Sequence, residues 1–167
     1  MSKRIIILGA GGYANTVSDV AGQLGYEILA MLDDKLQGFE LDTFQSYITP
    51  DTEFIPAFGN NHFRLDWINK LQNAGATLAT IIHPTAYVSP CATIYSGTVI
   101  LPKAIVNTDV VIERGCIVNI GAIIDHGTVL EEGVHLAPGA IVKGENRIKS
   151  CTKVESGEVV QARQWPL

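Results

Sequence analysis

From residue 82 onward an aliphatic side chain returns at every sixth position. Ile82, Val88, Ile94, Ile100, Val106, Ile112, Val118, Ile124, Leu130, Leu136, Val142, Ile148, Val154 and Val160 are all Ile, Val or Leu. Two residues before the aliphatic one, small side chains recur at Ala86, Ala92, Ala104, Cys116, Ala122 and Ala140. One residue earlier again, glycine recurs at Gly97, Gly115, Gly121, Gly127, Gly133, Gly139 and Gly157. This is a hexapeptide repeat. It predicts a triangular prism in which each hexad makes one short strand and one corner. The aliphatic residue enters a narrow core, the small residue fits where the core tapers, and glycine relieves backbone strain at the turn. Three hexads close one coil, and residues Thr85 to Ala162 make slightly over four coils with no inserted loop. Stacked coils leave ends that need covering, and the preceding half of the chain is a candidate for one of them.

Residues 1–80 follow a different pattern. Arg4–Leu8 reads as a buried strand ended by Gly9-Ala10-Gly11-Gly12. Val17, Val20, Ala21 and Leu24 fall on one face of a helix, and Gly25 stops it. Glu27–Leu32 is a second strand, Phe54–Phe58 a third and Leu78–Ile82 a short fourth; Phe63–Asn73 reads as a second helix. Residues 35–52 carry no clear period. Strands alternating with helices predict a small parallel sheet. The expected fold is therefore a Rossmann-like α/β domain over 1–80, then a parallel β-helix of hexapeptide repeats over 81–167.

Composition narrows the function. The 167 residues carry 12 Lys and Arg against 17 Asp and Glu, a net charge of −5 with no basic stripe, which argues against nucleic acid as a partner. Hydrophobic residues make up 47% and charged residues only 17%, so part of the surface is expected to be buried by self-association. Cys91, Cys116 and Cys151 form no CxxC pair, which fits a reducing compartment and small-slot packing in the hexads. The apolar run after Lys3-Arg4 is too short for a signal peptide, and no stretch is long enough for a membrane span. A soluble, cytoplasmic protein is expected. Four histidines, His62, His83, His126 and His135, are too dispersed to gather three imidazoles, so no metal is expected.

The turn at Gly9, Gly11 and Gly12 precedes a helix and suits a pyrophosphate. Asp33 or Asp34, at the end of the second strand, stands where a ribose contact is expected. These features describe a dinucleotide as readily as a nucleotide sugar; the small size of the domain favours a UDP- or dTDP-linked sugar. Asn60 and Asn61 after the third strand serve either a ligand or a tight turn.

GAGG at 9–12, FGNN at 58–61, IIHPTAYVSPCATI at 81–94 and NIGAIIDHGTVLEEGVHLAPGA at 119–140 stand in a defined order. Taken together they resemble the sugar O-acyltransferase family of the sialic acid NeuD type, close to the N-acetyltransferases of nucleotide-linked 4-amino-4,6-dideoxy sugars of the bacillosamine-pathway type. The resemblance implies a left-handed β-helix and a homotrimer, with acetyl-CoA in the groove between two prisms and the nucleotide sugar against the N-terminal domain. It implies His126 as catalytic base, His135 beside the thioester, and Gly144 offering its backbone N–H to the thioester oxygen. Asn119 matches an acceptor-pocket residue, and Gly11, Gly12, Asp33, Asp34 and Asn60 fall in the nucleotide-sugar site.

The chain departs from that pattern in four places. Tyr13 stands where the family often has a histidine touching the sugar, and Asn15 where a basic residue often lies near the phosphates. Gly127 replaces the acidic residue that commonly follows the catalytic histidine; neighbouring Asp125 would face the other way on a strand. The repeat runs only to Val160, with the segment ESGEVVQARQWPL in place of further coils. Trp165 in that segment is expected to cover the prism end.

The expected activity is transfer of acetyl from acetyl-CoA to the amino group of such a sugar. The alternatives are O-acetylation of a sialic acid-like sugar, and a trimeric binding or scaffold protein without CoA binding. His126 and His135 are nine residues apart, one and a half prism faces, so they can converge only across a subunit interface.

Overall fold

The computed structural model describes residues 3–166; Met1, Ser2 and Leu167, the outermost residues of the two expected domains, lie outside the described residues. The chain divides into two compact units, one up to Thr80 and one from Ile81.

The first unit is a four-stranded parallel sheet of β1 (Arg4–Leu8), β2 (Glu27–Leu32), β3 (Thr52–Pro56) and β4 (Thr77–Leu78), in the order β2-β1-β3-β4. Ile5 to Leu8 are fully buried, as an uninterrupted aliphatic run in a central parallel strand must be. Helix α1 (Gly12–Gln23) buries Ala14, Val17, Val20 and Ala21, and α2 (Asn61–Asn73) buries Trp67, Ile68 and Leu71. Trp67 meets Phe44 edge-on at 5.7 Å, with the Lys70 ammonium over its ring at 4.3 Å. Phe44 comes from a 3-10 helix, Leu41–Tyr47, in the stretch without a clear period. The third strand begins two residues earlier than the apolar run, because Thr52 is buried and paired with Arg4. The second helix likewise begins at Asn61, capped by Asn60.

The segment 78–82 is not one strand. Thr77–Leu78 pairs with β3, whereas Ile81–Ile82 pairs with Val99–Ile100 and is the first strand of the second unit. Among its described residues that unit holds fourteen two-residue strands, from Ile81–Ile82 to Val159–Val160, and is a left-handed parallel β-helix. They stack as three parallel sheets of four, five and five strands. Partners lie one coil apart: Val111 faces Val129, and Ile123 faces Ile141. Ile100, Val106, Ile112, Val118, Ile124, Leu130, Leu136, Val142, Ile148, Val154 and Val160 fill the core.

The left-handed turn position of each hexad is not always glycine. Lys103, Asp109, Glu145, Cys151 and Arg163 occupy it at φ between 54° and 60°. This corrects the packing expectation for cysteine. Cys116 is buried, but Cys91 is exposed and Cys151 is a half-buried corner residue, so neither fills the core. Both stand three residues before an inward aliphatic residue, Ile94 and Val154, at the turn of the hexad, where a side chain points away from the core.

Candidate active site

In the first unit the chain leaves β1 for β2 on one side and reaches β3 on the other. Ligand crevices in open parallel sheets form at such a switch, outside the carboxyl ends of the strands. A groove of about 370 Å³ lies there, lined by Gly9, Gly11, Gly12, Tyr13, Asp33, Ala57, Phe58 and Asn60 among others. Gly9 is obligatory: its φ is 116°, and a Cβ would stand 2.9 Å from the Ala57 carbonyl oxygen. Gly11 caps α1 without a side chain, leaving the helix N-terminus open to the groove.

The two aspartates divide their work. Asp33 ties the loop down, its Oδ2 accepting from Ala10 N–H and its Oδ1 from Lys35 N–H, both at 3.0 Å. Asp34 turns away and accepts from Leu41 N–H at 3.0 Å. It is not among the groove-lining residues. Asn60 Oδ1 accepts from Phe63 N–H at 2.9 Å as the cap of α2. Below lies Arg64, 1% exposed, donating to the Phe58 carbonyl at 2.8 Å and to Asn61 Oδ1 at 2.9 Å. The sequence reading missed it. An arginine one turn into a helix reads as solvated, and only its spacing from Asn60 and Asn61 hinted otherwise. The Tyr13 hydroxyl is buried without a hydrogen-bond partner, and burial raises its pKa, opposed by the Arg64 charge.

In the β-helix, His126 sits on an exposed corner before Gly127, whose φ is 62°. One coil on, Gly144 lies over its ring. A Cβ at 144 would stand 2.9 Å from His126 Nε2 and 3.0 Å from Cε1. A groove of about 470 Å³ opens here, lined by Thr108, Asp109, His126, Gly127, Glu145, Arg163 and Pro166. Glu145 and Arg163 form an ion pair, and Glu145 N–H donates to the His126 carbonyl at 3.0 Å. The Arg163 guanidinium lowers the Glu145 pKa, with a smaller push from His126. These neighbours follow from steps of 18 residues, which the hexad pattern contains but the one-dimensional reading did not use.

Asp125 does not orient the imidazole. Its Oδ1 accepts from the backbone N–H of His126 at 2.8 Å and from Asn107 Nδ2 at 2.9 Å. The His126 N–H is the main reason its carboxyl is held below the usual range; the Gly144 N–H also faces it.

His135 begins the strand His135–Leu136, stacked between Ile117 and Lys153. Asn119 Nδ2 lies 3.2 Å from its Nε2, so these two expected site residues do meet. His126 is elsewhere. Its corner joins the sheets of Ile123–Ile124 and Val129–Leu130, the two faces other than the one that carries His135. Within one prism that corner is opposite His135.

The comparisons with known proteins agree with this architecture. The family model described as PglD N-terminal domain matches residues 4–71. A UDP-N-acetylbacillosamine N-acetyltransferase of Bacillus subtilis (strain 168) is 32% identical over 110 residues, 59% of this chain. The match spans 51% of that relative, about half its length. The acetyltransferase domain of PglB from Neisseria gonorrhoeae FA1090, solved with acetyl coenzyme A, is 32% identical with a TM-score of 0.89. That match covers 98% of this chain and 84% of the other. The chain belongs to the same family as that acetyltransferase domain. A perosamine N-acetyltransferase of Caulobacter crescentus shares the fold at 24% identity and a TM-score of 0.81, over 89% of this chain and 75% of that one. The fold shared with the PglB acetyltransferase domain thus extends over both units.

Among the described residues, no group of three or more His, Cys, Asp or Glu is placed to hold a metal ion, and no helix is long and apolar enough to cross a membrane.

Proposed function

We propose that the chain is an acetyl-CoA-dependent N-acetyltransferase acting on a nucleotide-linked 4-amino-4,6-dideoxy sugar in surface-glycan synthesis. One observation carries the reading: His126 is seated under Gly144, beside a groove of about 470 Å³. The relatives act on or bind the matching compounds by their names, UDP-N-acetylbacillosamine and acetyl coenzyme A.

His126 accepts the proton of the sugar amine as nitrogen attacks the thioester carbonyl. The C–N bond forms, the C–S bond breaks, and the proton passes to the departing CoA sulfur. Imidazole is the side chain suited to taking up and giving back a proton near neutral pH. The Gly144 N–H is the donor assigned to the thioester oxygen, a contact that replaces its approach to Asp125. The glycine groove with Asp33, Tyr13 and Asn60 takes the UDP or dTDP group, Asn119 lines the acceptor pocket, and His135, its neighbour, stands beside the thioester. Asp34, committed to Leu41, is the weakest member of that set.

The two histidines belong to one site only if a second copy brings His135 to His126. The outer face of one sheet favours such a homotrimer. Tyr87, Ile105, Ile123, Ile141 and Val159 stack in register as an unbroken apolar ladder, with Tyr87, Ile105 and Val159 well exposed. We place the reaction in the cytoplasm, where acetyl-CoA is available.

The test is thiol release from acetyl-CoA with a panel of UDP- and dTDP-linked 4-amino-6-deoxy sugars, with sialic acid as hydroxyl control. Release with an amino sugar, lost by 10²–10⁴-fold in His126→Ala, is expected. Release with sialic acid alone would turn the reading to O-acetylation, and no release with any acceptor would sink it.

A further inference from the structure

The slot two residues before each inward aliphatic residue holds a small or short side chain through the buried coils: Ala104, Val110, Cys116, Ala122, Thr128, Val134 and Ala140. At 146 it holds asparagine, 0% exposed. This is the one amide in that series. Where the slot is Thr98, Cys116 or Thr128, the side chain donates to a carbonyl fifteen residues on. Asn146 makes the same bond, to the Gln161 carbonyl at 2.9 Å. It makes further bonds as well, among them a long one from Nδ2 to the Gly144 carbonyl at 3.4 Å. Its Nδ2 also donates to the Lys143 carbonyl at 2.7 Å, and its Oδ1 accepts from Trp165 N–H at 2.8 Å.

The extra bonds answer a change of register. Val129, His135 and Ile141 each donate their N–H to a carbonyl seventeen residues later. Arg147 donates instead to Trp165, eighteen residues later, and the next inward position is Pro166. The chain keeps the ladder's step through Arg163, whose N–H donates to the Gly144 carbonyl at the usual nineteen-residue spacing, and is one residue out of step only from there to Trp165. At that slip the Asn146 Oδ1 is the partner of the Trp165 N–H. Segment 161–166 supplies Arg163 and Pro166 to the wall of the His126 groove, and Lys143 leads into the Gly144 turn.

We infer that Asn146 is a positioning residue of the site: its buried amide latches segment 161–166 to the Lys143–Gly144 turn and so holds the wall of the His126 groove. The inference rests on the reading that the acetyl-CoA thioester lies in that groove.

The variant Asn146→Thr tests it, because Thr128 fills the equivalent slot and keeps the fifteen-residue bond. The fold, read by circular dichroism, is expected to stay intact. Hydrogen exchange at the Trp165 N–H should accelerate about tenfold or more, the scale of one lost buried hydrogen bond. The KM for acetyl-CoA should rise about tenfold while that for the nucleotide sugar stays within twofold. Unchanged exchange at Trp165 overturns the latch. Faster exchange with an unchanged KM for acetyl-CoA overturns its link to the site and leaves a purely structural amide. A wild-type protein that transfers no acetyl group defeats the functional reading instead. Titration with CoA then takes the place of KM, and equal affinity in both proteins overturns the inference.

Discussion

The imidazole of His126 and the Cα of Gly144 are neighbours across one coil of the β-helix, packed so that residue 144 has no room for a side chain. A Cβ there would approach Nε2 to 2.9 Å and the His126 carbonyl oxygen to 3.2 Å. Gly144 is not among the residues with positive φ, so its backbone conformation suits any L-residue. Glycine at 144 is required by the histidine.

Gly144→Ala therefore separates site from fold. The ring must swing aside, and a displacement of about 1 Å at a reacting group costs on the order of 10²-fold in rate. The expected result is a loss of that order in kcat with a melting temperature near wild type. Equal falls in activity and folded fraction would show that 144 matters only for packing.

Much of the fold was legible because one residue per hexad faces inward, so the period survives any choice of corner residues. The site was legible only in part. Of the candidate residues, His126 and Gly144 meet across one coil, the glycine loop lines a groove, and Asn119 and His135 are neighbours. The contacts Asn107–Asp125, His126–Gly144 and Glu145–Arg163 each span 18 residues and arise only when three hexads close a coil. Arg64 was hidden because its burial depends on the Phe58 carbonyl, which another strand end supplies. The 3-10 helix at Leu41–Tyr47 has buried Leu41 and Phe44 three residues apart, a spacing too short to count as a period.

Left-handed corners give a stability test free of the site. Cys151 holds φ 57° with a side chain, whereas Gly121 holds φ 64° with open space where a Cβ would be. Left-handed strain costs an L-residue about 1–2 kcal/mol, offset in part by glycine's larger unfolded-state entropy. Cys151→Gly should stabilise by about 0.5 kcal/mol, and Gly121→Ala should destabilise by about 1 kcal/mol. Thermal or urea unfolding measures both, and shifts of the same sign would contradict the strain argument.

Acid sensitivity follows from three carboxyls on the β-helix. The Asp125 carboxyl is lowered from 3.8 mainly by the His126 N–H, and that of Glu131 from 4.5 mainly by the Ser150 N–H. The Glu145 carboxyl is lowered from 4.5 mainly by Arg163. A carboxyl with a depressed folded-state pKa stabilises fully above its unfolded value and loses that contribution as pH falls through the folded one. The melting temperature should hold steady from pH 7 to about 5 and fall progressively below about 4.5. All three groups are near solvent, so the effect should shrink in salt. Asp125→Asn should flatten the lowest part of the curve, and an unchanged acid limb in that variant would remove Asp125 from the account.

The apolar ladder makes the strongest claim on assembly. Ile123 lies at its middle, between Ile105 and Ile141, half-buried in a single chain. A carboxylate there leaves the inward Ile124 and the core untouched, because adjacent strand residues face opposite ways. In an interface it would be desolvated without a cation beside it, a cost of several kcal/mol. On the proposed assembly the wild type should sediment as a trimer and Ile123→Asp as a monomer, with an unchanged circular dichroism spectrum. It should also lose acetyl transfer, because His126 and His135 lie on opposite sides of one prism. Mixing it with Asn119→Ala or any other variant cannot restore a site that needs two intact ladders. A monomer that keeps full activity would show that one prism is enough, and His135 would then have no part in the chemistry.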